Sequence, residues 1–146
     1  MDIVTSIGIR RPVETVWPYL VDWERLDRWM REARGFRVIS AAREGVGVEA
    51  EATIRIAGIT TRDRVRVIRW EPPRVLEIAH LGWVKGTGFM ELSPTDRGCS
   101  LFWRERLVPP WGPAGLLGMR IVRPMMRRIF QGDLEKLRRL VEAGTG

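Results

Sequence analysis

His80 and Glu105 are the two side chains whose types and predicted spacing favour acid/base chemistry. Both fall on apolar faces of predicted strands, where an imidazole or a carboxylate must find a partner, shift its pKa or meet a ligand. A hairpin centred near Val84 places His80 opposite Gly88. The following hairpin, centred at 96–97, places Gly88 opposite Glu105. Because Gly88 has no side chain, we expect His80 and Glu105 to meet, or to hold a ligand atom between them.

Two alternatives stay open for these residues. They also fit a plain buried ion pair, or a His80 that lies at its strand end in solvent, and a one-residue slip in either hairpin would separate them. His80 is the only histidine and Cys99 the only cysteine, which excludes paired-histidine zinc sites, thiolate clusters and disulfides within the chain. The sequence contains no GxGxxG loop and no flavin or phosphate signature, so we expect no metal and no cofactor.

Alternating apolar and charged residues predict about seven strands that would position this pair. The short connections between most of them favour an antiparallel meander. A helix is predicted to start at Pro12 and to be short or bent at Pro18, and Asp22 is predicted to cap a second short helix that runs through Met30. The predicted strands lie near 3–9, 36–43, 48–57, 60–71, 74–81, 86–93 and 98–108.

The C-terminal part of the chain is predicted to be one long helix from Pro113 to Gly144, with an apolar stripe that includes Met126 and Phe130. Pro124 lacks an N–H group and is expected to kink this helix or divide it in two. The segment 109–119, PPWGPAGLLGM, fits either a mobile lid or an ordinary connection between strand and helix.

Several short motifs, spread over the full length of the chain, follow one family pattern. Their residues are Ile7 to Ile9, Pro12, Val16-Trp17, Leu20, Asp22, Trp29, Trp70-Glu71-Pro72-Pro73-Arg74, Arg123-Pro124, Leu134, Leu137 and Leu140. Together they resemble the START-like (SRPBCC) superfamily, which includes Bet v 1-type pollen allergens and polyketide cyclase/dehydrase proteins. The resemblance implies a single domain over 1–146 with the α+β helix-grip fold, in which a curved antiparallel sheet wraps around the long C-terminal helix.

The resemblance further implies an apolar cavity between the sheet and this helix. Trp29 is then expected to close one end of the cavity, while Trp17 packs the first helix onto the sheet and Trp23 covers the joint between the short helices. The alternative is that all three are ordinary core residues. The predicted ligand-binding residues are Trp29, Ile54, Val67, Arg69, Ile78, Met90, Trp103, Met119, Met126 and Phe130.

Three functions fit these expectations. The first is a carrier or sensor of a hydrophobic small molecule such as a lipid, quinone or polyketide. The second is an enzyme similar to polyketide cyclases or dehydratases, in which His80 and Glu105 transfer protons; the sequence leaves open whether the protein is an enzyme at all. The third is a basic surface, formed by the outer arginines of the sheet or by Arg120, Arg123 and Arg127, that contacts a ribosome, an acidic protein or an anionic membrane.

The net charge of +7 comes mostly from arginine, since Lys85 and Lys136 are the only lysines. A solvated, arginine-rich surface without a partner is the alternative to a docking role, and no specific nucleic acid is expected. The N-terminus shows no signal pattern and no segment reaches about 18 consecutive apolar residues, which favours a soluble, cytoplasmic protein. The oligomeric state is left open.

Overall fold

A computed structural model describes residues 1–144 and confirms the α+β class. Its elements follow the predicted order. No helix in this part of the chain is long and apolar enough to cross a membrane. The elements are β1 (Asp2–Ile9), α1 (Val13–Leu20), a 3₁₀ helix (Trp23–Arg28), β2 (Ala33–Val38), β3 (Glu49–Ile56), β4 (Ile59–Glu71), β5 (Val75–His80), β6 (Lys85–Thr95), β7 (Gly98–Val108) and α2 (Gly112–Ala143).

The seven strands form one curved antiparallel sheet in the order β1-β7-β6-β5-β4-β3-β2. The strands β2 to β7 are a meander, and β1 pairs with β7 at the edge. Apolar residues alternate with exposed charged ones along the strands, so that one face of the sheet is dry. The last turns of α2 pack on that face, where Leu134, Leu137 and Val141 are almost completely buried.

The two hairpins that position the predicted acid/base pair differ in how well the sequence predicts them. Gly88 pairs with Glu105, as expected. His80, however, pairs with Gly86, and Ile78 takes the predicted place opposite Gly88. The β5–β6 turn is therefore centred one residue earlier than predicted, which moves the partner by two residues and leaves His80 on the same face of the sheet.

A bulge in β4 turns Arg69 away from the interior. Val67 pairs with Ile78 and Arg69 with Glu77, so that Ile68 is an extra residue and the alternation is broken. Arg69 is exposed and forms an ion pair with Glu71 on the outer face of the sheet. The prediction that Arg69 lines the cavity is wrong for this reason.

The helices also depart from their predicted ends. Asp22 makes no capping hydrogen bond to the 3₁₀ helix and instead accepts one from Arg28, at 3.3 Å. The long helix begins at Gly112 and is not divided at Pro124. The segment predicted as a possible lid therefore consists largely of the first turns of α2. In β2, Gly35 adopts a left-handed conformation beside a register shift, and the strand starts three residues earlier than the alternation suggested.

Candidate ligand cavity between the sheet and the C-terminal helix

A cavity of about 190 Å³ lies between the sheet and α2. Most of its wall is apolar, and its polar residues come from the loop before β2 and from three strands of the sheet. The exposed Trp83 and Arg62 form part of the wall, so the cavity reaches the surface on their side. Its lining is Met30, Glu32, Ala33, Phe36, Ile54, Ile56, Thr61, Arg62, Asp63, Val65, Ile78, His80, Trp83, Val84, Glu105, Leu107, Met119, Met126 and Phe130.

Not all of the predicted ligand-binding residues reach this cavity. Met90 and Trp103 line a smaller void of about 50 Å³ that shares Ile78 and Glu105 with the main one. Trp29 and Val67 are fully buried and line neither space, so they are core residues. The predicted ligand-binding residues that do line the main cavity are Ile54, Ile78, Met119, Met126 and Phe130, and the predicted acid/base pair, His80 and Glu105, lines it as well.

The tryptophans of the two short helices belong to the core. Trp17 packs edge-to-face on Trp70 of β4, with ring centroids 5.4 Å apart, and so fixes α1 to the sheet as predicted. Trp29 makes a similar contact with Trp103 at 6.1 Å. Trp23 is buried as well. The expectation that Trp29 closes one end of the cavity is wrong, because its ring packs against Trp103 instead.

The polar centre of the cavity wall is a row of three side chains. The His80 Nε2 atom lies 2.7 Å from Glu105 Oε2, and the His80 Nδ1 atom lies 2.8 Å from Asp63 Oδ2. The structure thus brings His80 and Glu105 together as predicted and adds Asp63 from β4. Each ring nitrogen of His80 faces a carboxylate, so both nitrogens are placed to donate.

This arrangement favours the charged form of His80. Burial lowers its pKa, but the charge of Glu105 and the hydrogen bonds with Asp63 and Glu105 outweigh burial and raise the pKa to about 10. At neutral pH His80 is therefore an imidazolium with both protons engaged. It can act as an acid or as a fixed positive charge, but it holds its proton too tightly to serve as a general base.

Two hydrogen-bond donors hold the Glu105 carboxylate in place, and it occupies the space above Gly88. Its Oε1 atom accepts a hydrogen bond of 2.9 Å from the indole Nε1 of Trp103, while Oε2 faces His80. A Cβ atom at position 88 would lie 2.8 Å from Glu105 Oε1, closer than side chains tolerate. The absence of a side chain at Gly88 therefore provides the room that the Glu105 carboxylate occupies.

A second acidic pair lies on the α2 side of the cavity. Glu32, in the loop before β2, and Asp133, on α2, are both buried, and the proximity of Asp133 raises the pKa of Glu32. The Oδ1 atom of Asp133 also accepts a hydrogen bond of 3.0 Å from the backbone N–H of Arg31. Glu32 Oε2 and Asp133 Oδ2 are buried and have no hydrogen-bond partner within residues 1–144. We infer that one proton shared between the two carboxyl groups satisfies both atoms.

Glu32 carries that proton. Burial, together with the hydrogen bond and charge of Asp133, raises the pKa of Glu32 to about 9. Burial also raises the pKa of Asp133, but the hydrogen bonds from Glu32 and from the Arg31 N–H oppose this rise. At neutral pH Glu32 is thus an uncharged carboxylic acid in the wall of a largely apolar cavity.

Asp63, Glu32 and Asp133 are absent from the predicted site residues, although two of them leave a signal in the sequence. Asp63 alternates with Val65 and Val67 on the dry face of β4, and Asp133 follows Phe130 by three residues on the inward stripe of α2. Glu32 lies between elements and no periodicity points to it. No group of three or more His, Cys, Asp or Glu side chains within residues 1–144 is arranged to hold a metal ion.

The curved sheet, the long helix across it and the cavity between them define a helix-grip domain. The chain belongs to the family described as polyketide cyclase / dehydrase and lipid transport, whose model matches residues 1–142. It is 29% identical over 129 residues to an uncharacterized protein of Mycobacterium tuberculosis, and the match covers 84% of this chain and 83% of that protein.

Solved structures of low sequence identity share the fold. TTHA0849 from Thermus thermophilus superposes with a TM-score of 0.85 at 19% identity and full coverage of both chains. The Zhui aromatase/cyclase from Streptomyces sp. R1128 gives a TM-score of 0.81 at 15% identity, with 97% of this chain and 93% of that chain covered. These likenesses confirm the helix-grip fold predicted from the sequence.

Proposed function

We propose that the protein binds a hydrophobic small molecule of the lipid, quinone or polyketide type in the cavity between the sheet and α2, as a carrier or sensor. The observation that carries this proposal is the cavity wall. Apolar side chains enclose most of about 190 Å³, and the polar groups in it are largely engaged with one another. The family's description, which includes lipid transport, supports a ligand of this class.

The size of the cavity limits what fits inside it. An apolar cavity of about 150 Å³ stays dry and accepts benzene, so this one suits one or two rings or a short branched chain. A longer ligand would have to extend out of the cavity past Met119 and Trp83, which line the side toward α2 and the surface. Because the Glu32 proton is shared with Asp133, its uncharged carboxyl group offers such a ligand a hydrogen-bond acceptor, which suits a hydroxyl group.

Native mass spectrometry of the protein purified from its own host, followed by solvent extraction, tests this proposal. We expect a stoichiometric apolar small molecule, and a matching gain in mass when the emptied protein is given the extract. The Ile54→Trp variant, which places an indole ring where the cavity wall has an aliphatic side chain, should take up less of this molecule. A protein that is empty as purified and binds no component of a lipid or quinone extract would contradict the proposal.

An enzyme of the polyketide cyclase or dehydratase type is the second candidate. The observation that favours it is the presence of two proton donors, the imidazolium of His80 and the carboxyl group of Glu32, on one apolar cavity. To protonate a carbonyl oxygen of a carbonyl-rich chain, either group would have to turn its proton from its carboxylate partner to the substrate, while Glu105 holds His80 in place. Among the proteins of similar fold, one is an aromatase/cyclase and another is the di-domain ARO/CYC StfQ of steffimycin biosynthesis.

Variants of the polar row separate the two candidates. In an enzyme, His80→Ala and Glu105→Gln should abolish turnover of the identified compound while the compound still binds. In a carrier, both variants should change affinity only, and the bound molecule should be recovered chemically unchanged. Ser40→Ala, in the loop after β2, serves as a control that lies outside the cavity lining.

A further inference from the structure

The first half of α2 extends beyond the core that the second half builds. Every buried residue of this helix lies at or after Met126, and almost all residues of 112–125 are exposed. A helix segment of this length is not held in water by propensity alone, particularly with Gly118 and Pro124 within it. The residue types of this segment should therefore indicate what it contacts in place of a protein core.

Large apolar side chains cover the outer side of this half-helix. Leu117, Ile121 and Met125 follow one another at four-residue spacing and form what we call the apolar ridge, with exposed fractions of 61%, 72% and 38%. At the start of the helix, Trp111 is 72% exposed and packs edge-to-face on Trp83, with ring centroids 4.9 Å apart. Single exposed apolar residues are ordinary, but a continuous group of this kind marks an interaction surface.

Arginines accompany the ridge, and acidic residues are missing from it. Arg120, Arg123, Arg127 and Arg128, the arginine flank, lie within two turns of the ridge residues. No Asp or Glu occurs between Arg106 and Asp133 in the sequence. The ion pairs within residues 1–144 include no member of the flank. The positive charge of this surface is therefore not neutralised by the protein itself.

We propose that the apolar ridge, the arginine flank and the Trp83–Trp111 pair dock the protein on an anionic lipid bilayer. A helix with large apolar side chains on one side and arginines beside them lies in the plane of the interface, with its apolar side chains among the acyl chains and its cations at the headgroup phosphates. Tryptophan is suited to the same depth, because its ring is apolar and its N–H is polar.

Other occupants fit this surface less well. A second copy of the chain, related by a two-fold axis, would place one arginine flank against another with no acidic residue between them. A nucleic acid would satisfy the arginines but would leave Leu117 and Ile121 in water. Of these three occupants, the anionic bilayer is the one that satisfies both the charge and the apolar area of the same half-helix.

The docking surface lies beside the proposed ligand cavity. Trp83 both lines the cavity and packs on Trp111, and Met119 reaches the cavity from the same half of α2. If the ligand proposal holds, the cavity side that Trp83 forms faces the bilayer, and an apolar ligand passes between membrane and protein without crossing water. The docking itself depends only on the surface residues and does not rest on the presence of a ligand.

Co-sedimentation with vesicles tests the docking. We expect binding to vesicles of phosphatidylglycerol and phosphatidylcholine, and much weaker binding to phosphatidylcholine alone. Arg120→Gln with Arg123→Gln should weaken binding to the anionic vesicles about thirtyfold, since each arginine near the surface contributes about a factor of five. Leu117→Gln with Ile121→Gln should weaken it at least about tenfold.

Matched variants control for charge and for exposed apolar surface. Arg10→Gln with Arg97→Gln removes the same charge at the end of the sheet where β7 begins, far from the start of α2, and should leave binding within about twofold. Val46→Gln removes an exposed apolar side chain from the loop between β2 and β3 and should have no effect. All substituted residues are largely exposed, so circular dichroism should show unchanged folding.

Three results would overturn the proposal: no binding to anionic vesicles, equal loss of binding in the control variants, or binding that the ridge variants leave intact. A protein that ignores vesicles but binds RNA with a steep salt dependence would assign the arginines to nucleic acid instead. A dimer that the ridge variants convert to monomer would assign the ridge to a second copy. Extraction of a bound ligand is measured separately, so either proposal can fail while the other stands.

Discussion

At the scale of single residues, the uncharged carboxyl group of Glu32 links the stability of the fold to pH. In the unfolded chain Glu32 releases its proton near its ordinary pKa of 4.5, whereas in the folded protein it keeps the proton up to a pKa of about 9. The unfolded state therefore binds fewer protons between these values, and the free energy of unfolding falls as pH rises, by at most about 1.4 kcal/mol per pH unit.

We expect Glu32→Gln to flatten this dependence and to raise the free energy of unfolding at pH 8. The amide has the same shape and can still donate a hydrogen bond to Asp133, but it does not titrate. Urea unfolding between pH 4.5 and 6.5 separates this effect from that of His80, whose contribution changes mainly above its unfolded pKa of 6.5. Glu77→Gln, on the sheet, is the control, and a slope unchanged in Glu32→Gln would contradict the shared proton.

His80 adds a second loss of stability at alkaline pH. Its folded pKa of about 10 lies above its unfolded pKa of 6.5, so its contribution is complete below pH 6.5 and disappears as pH rises through 10. The sequence could predict this residue and Glu105, because both are polar positions on otherwise apolar strand faces. It could not predict the charge state, since that depends on Asp63 Oδ2 lying 2.8 Å from the second ring nitrogen.

At the scale of elements, the register of β6 and β7 leaves room for Glu105 only because residue 88 is glycine. Gly88→Ala should push the Glu105 carboxylate away from His80 and lower the free energy of unfolding by about 1–3 kcal/mol. Chemical denaturation measures this change, and the NMR shifts of His80 should move with it. An unchanged stability would show that the carboxylate relocates without loss.

Gly132→Ala is the matched control for this substitution. No heavy atom lies within 4 Å of a Cβ placed there, and the residue is in α2, where alanine is favoured over glycine by about 1 kcal/mol. The same chemical change should therefore stabilise the protein at position 132 and destabilise it at position 88. Equal effects at both positions would mean that helix or strand propensity, rather than the space around Glu105, decides the outcome.

The elements also show where prediction from sequence ends. Alternation gives the face on which a residue lies as long as the strand is regular, and it places His80 and Glu105 correctly even though the β5–β6 turn is centred one residue away from the prediction. It fails at Arg69, because one extra residue at Ile68 reverses the face, and nothing in the residue types marks the bulge. Pro124 predicts a kink in α2 or a division of it, and the helix is not divided there.

At the scale of the whole molecule, the fold was predictable because many weak signals agree. Strand alternation, proline and glycine positions and the apolar stripe on the last helix all predict a sheet wrapped around a helix. When local signals agree with the overall fold in this way, they favour that fold over its alternatives. The cavity was predictable only in outline. Which of the buried residues line it depends on side-chain packing, as with Trp29, whose ring is 6.1 Å from that of Trp103 instead of bordering the cavity.

Ligand binding and membrane docking should be separable, because they use different faces of the same helix. Ile54→Trp narrows the cavity from the sheet side and should reduce uptake of an apolar ligand while leaving vesicle binding unchanged. Leu117→Gln with Ile121→Gln should reduce vesicle binding and leave ligand uptake from solution unchanged, since neither residue lines the cavity. Transfer of a ligand between anionic vesicles needs both activities, so either variant should slow it. The transfer rate of the wild-type protein and of the two variants, measured alongside separate binding titrations, checks this. A ridge variant that transfers ligand at the wild-type rate would show that the ligand travels through water and that docking has another purpose.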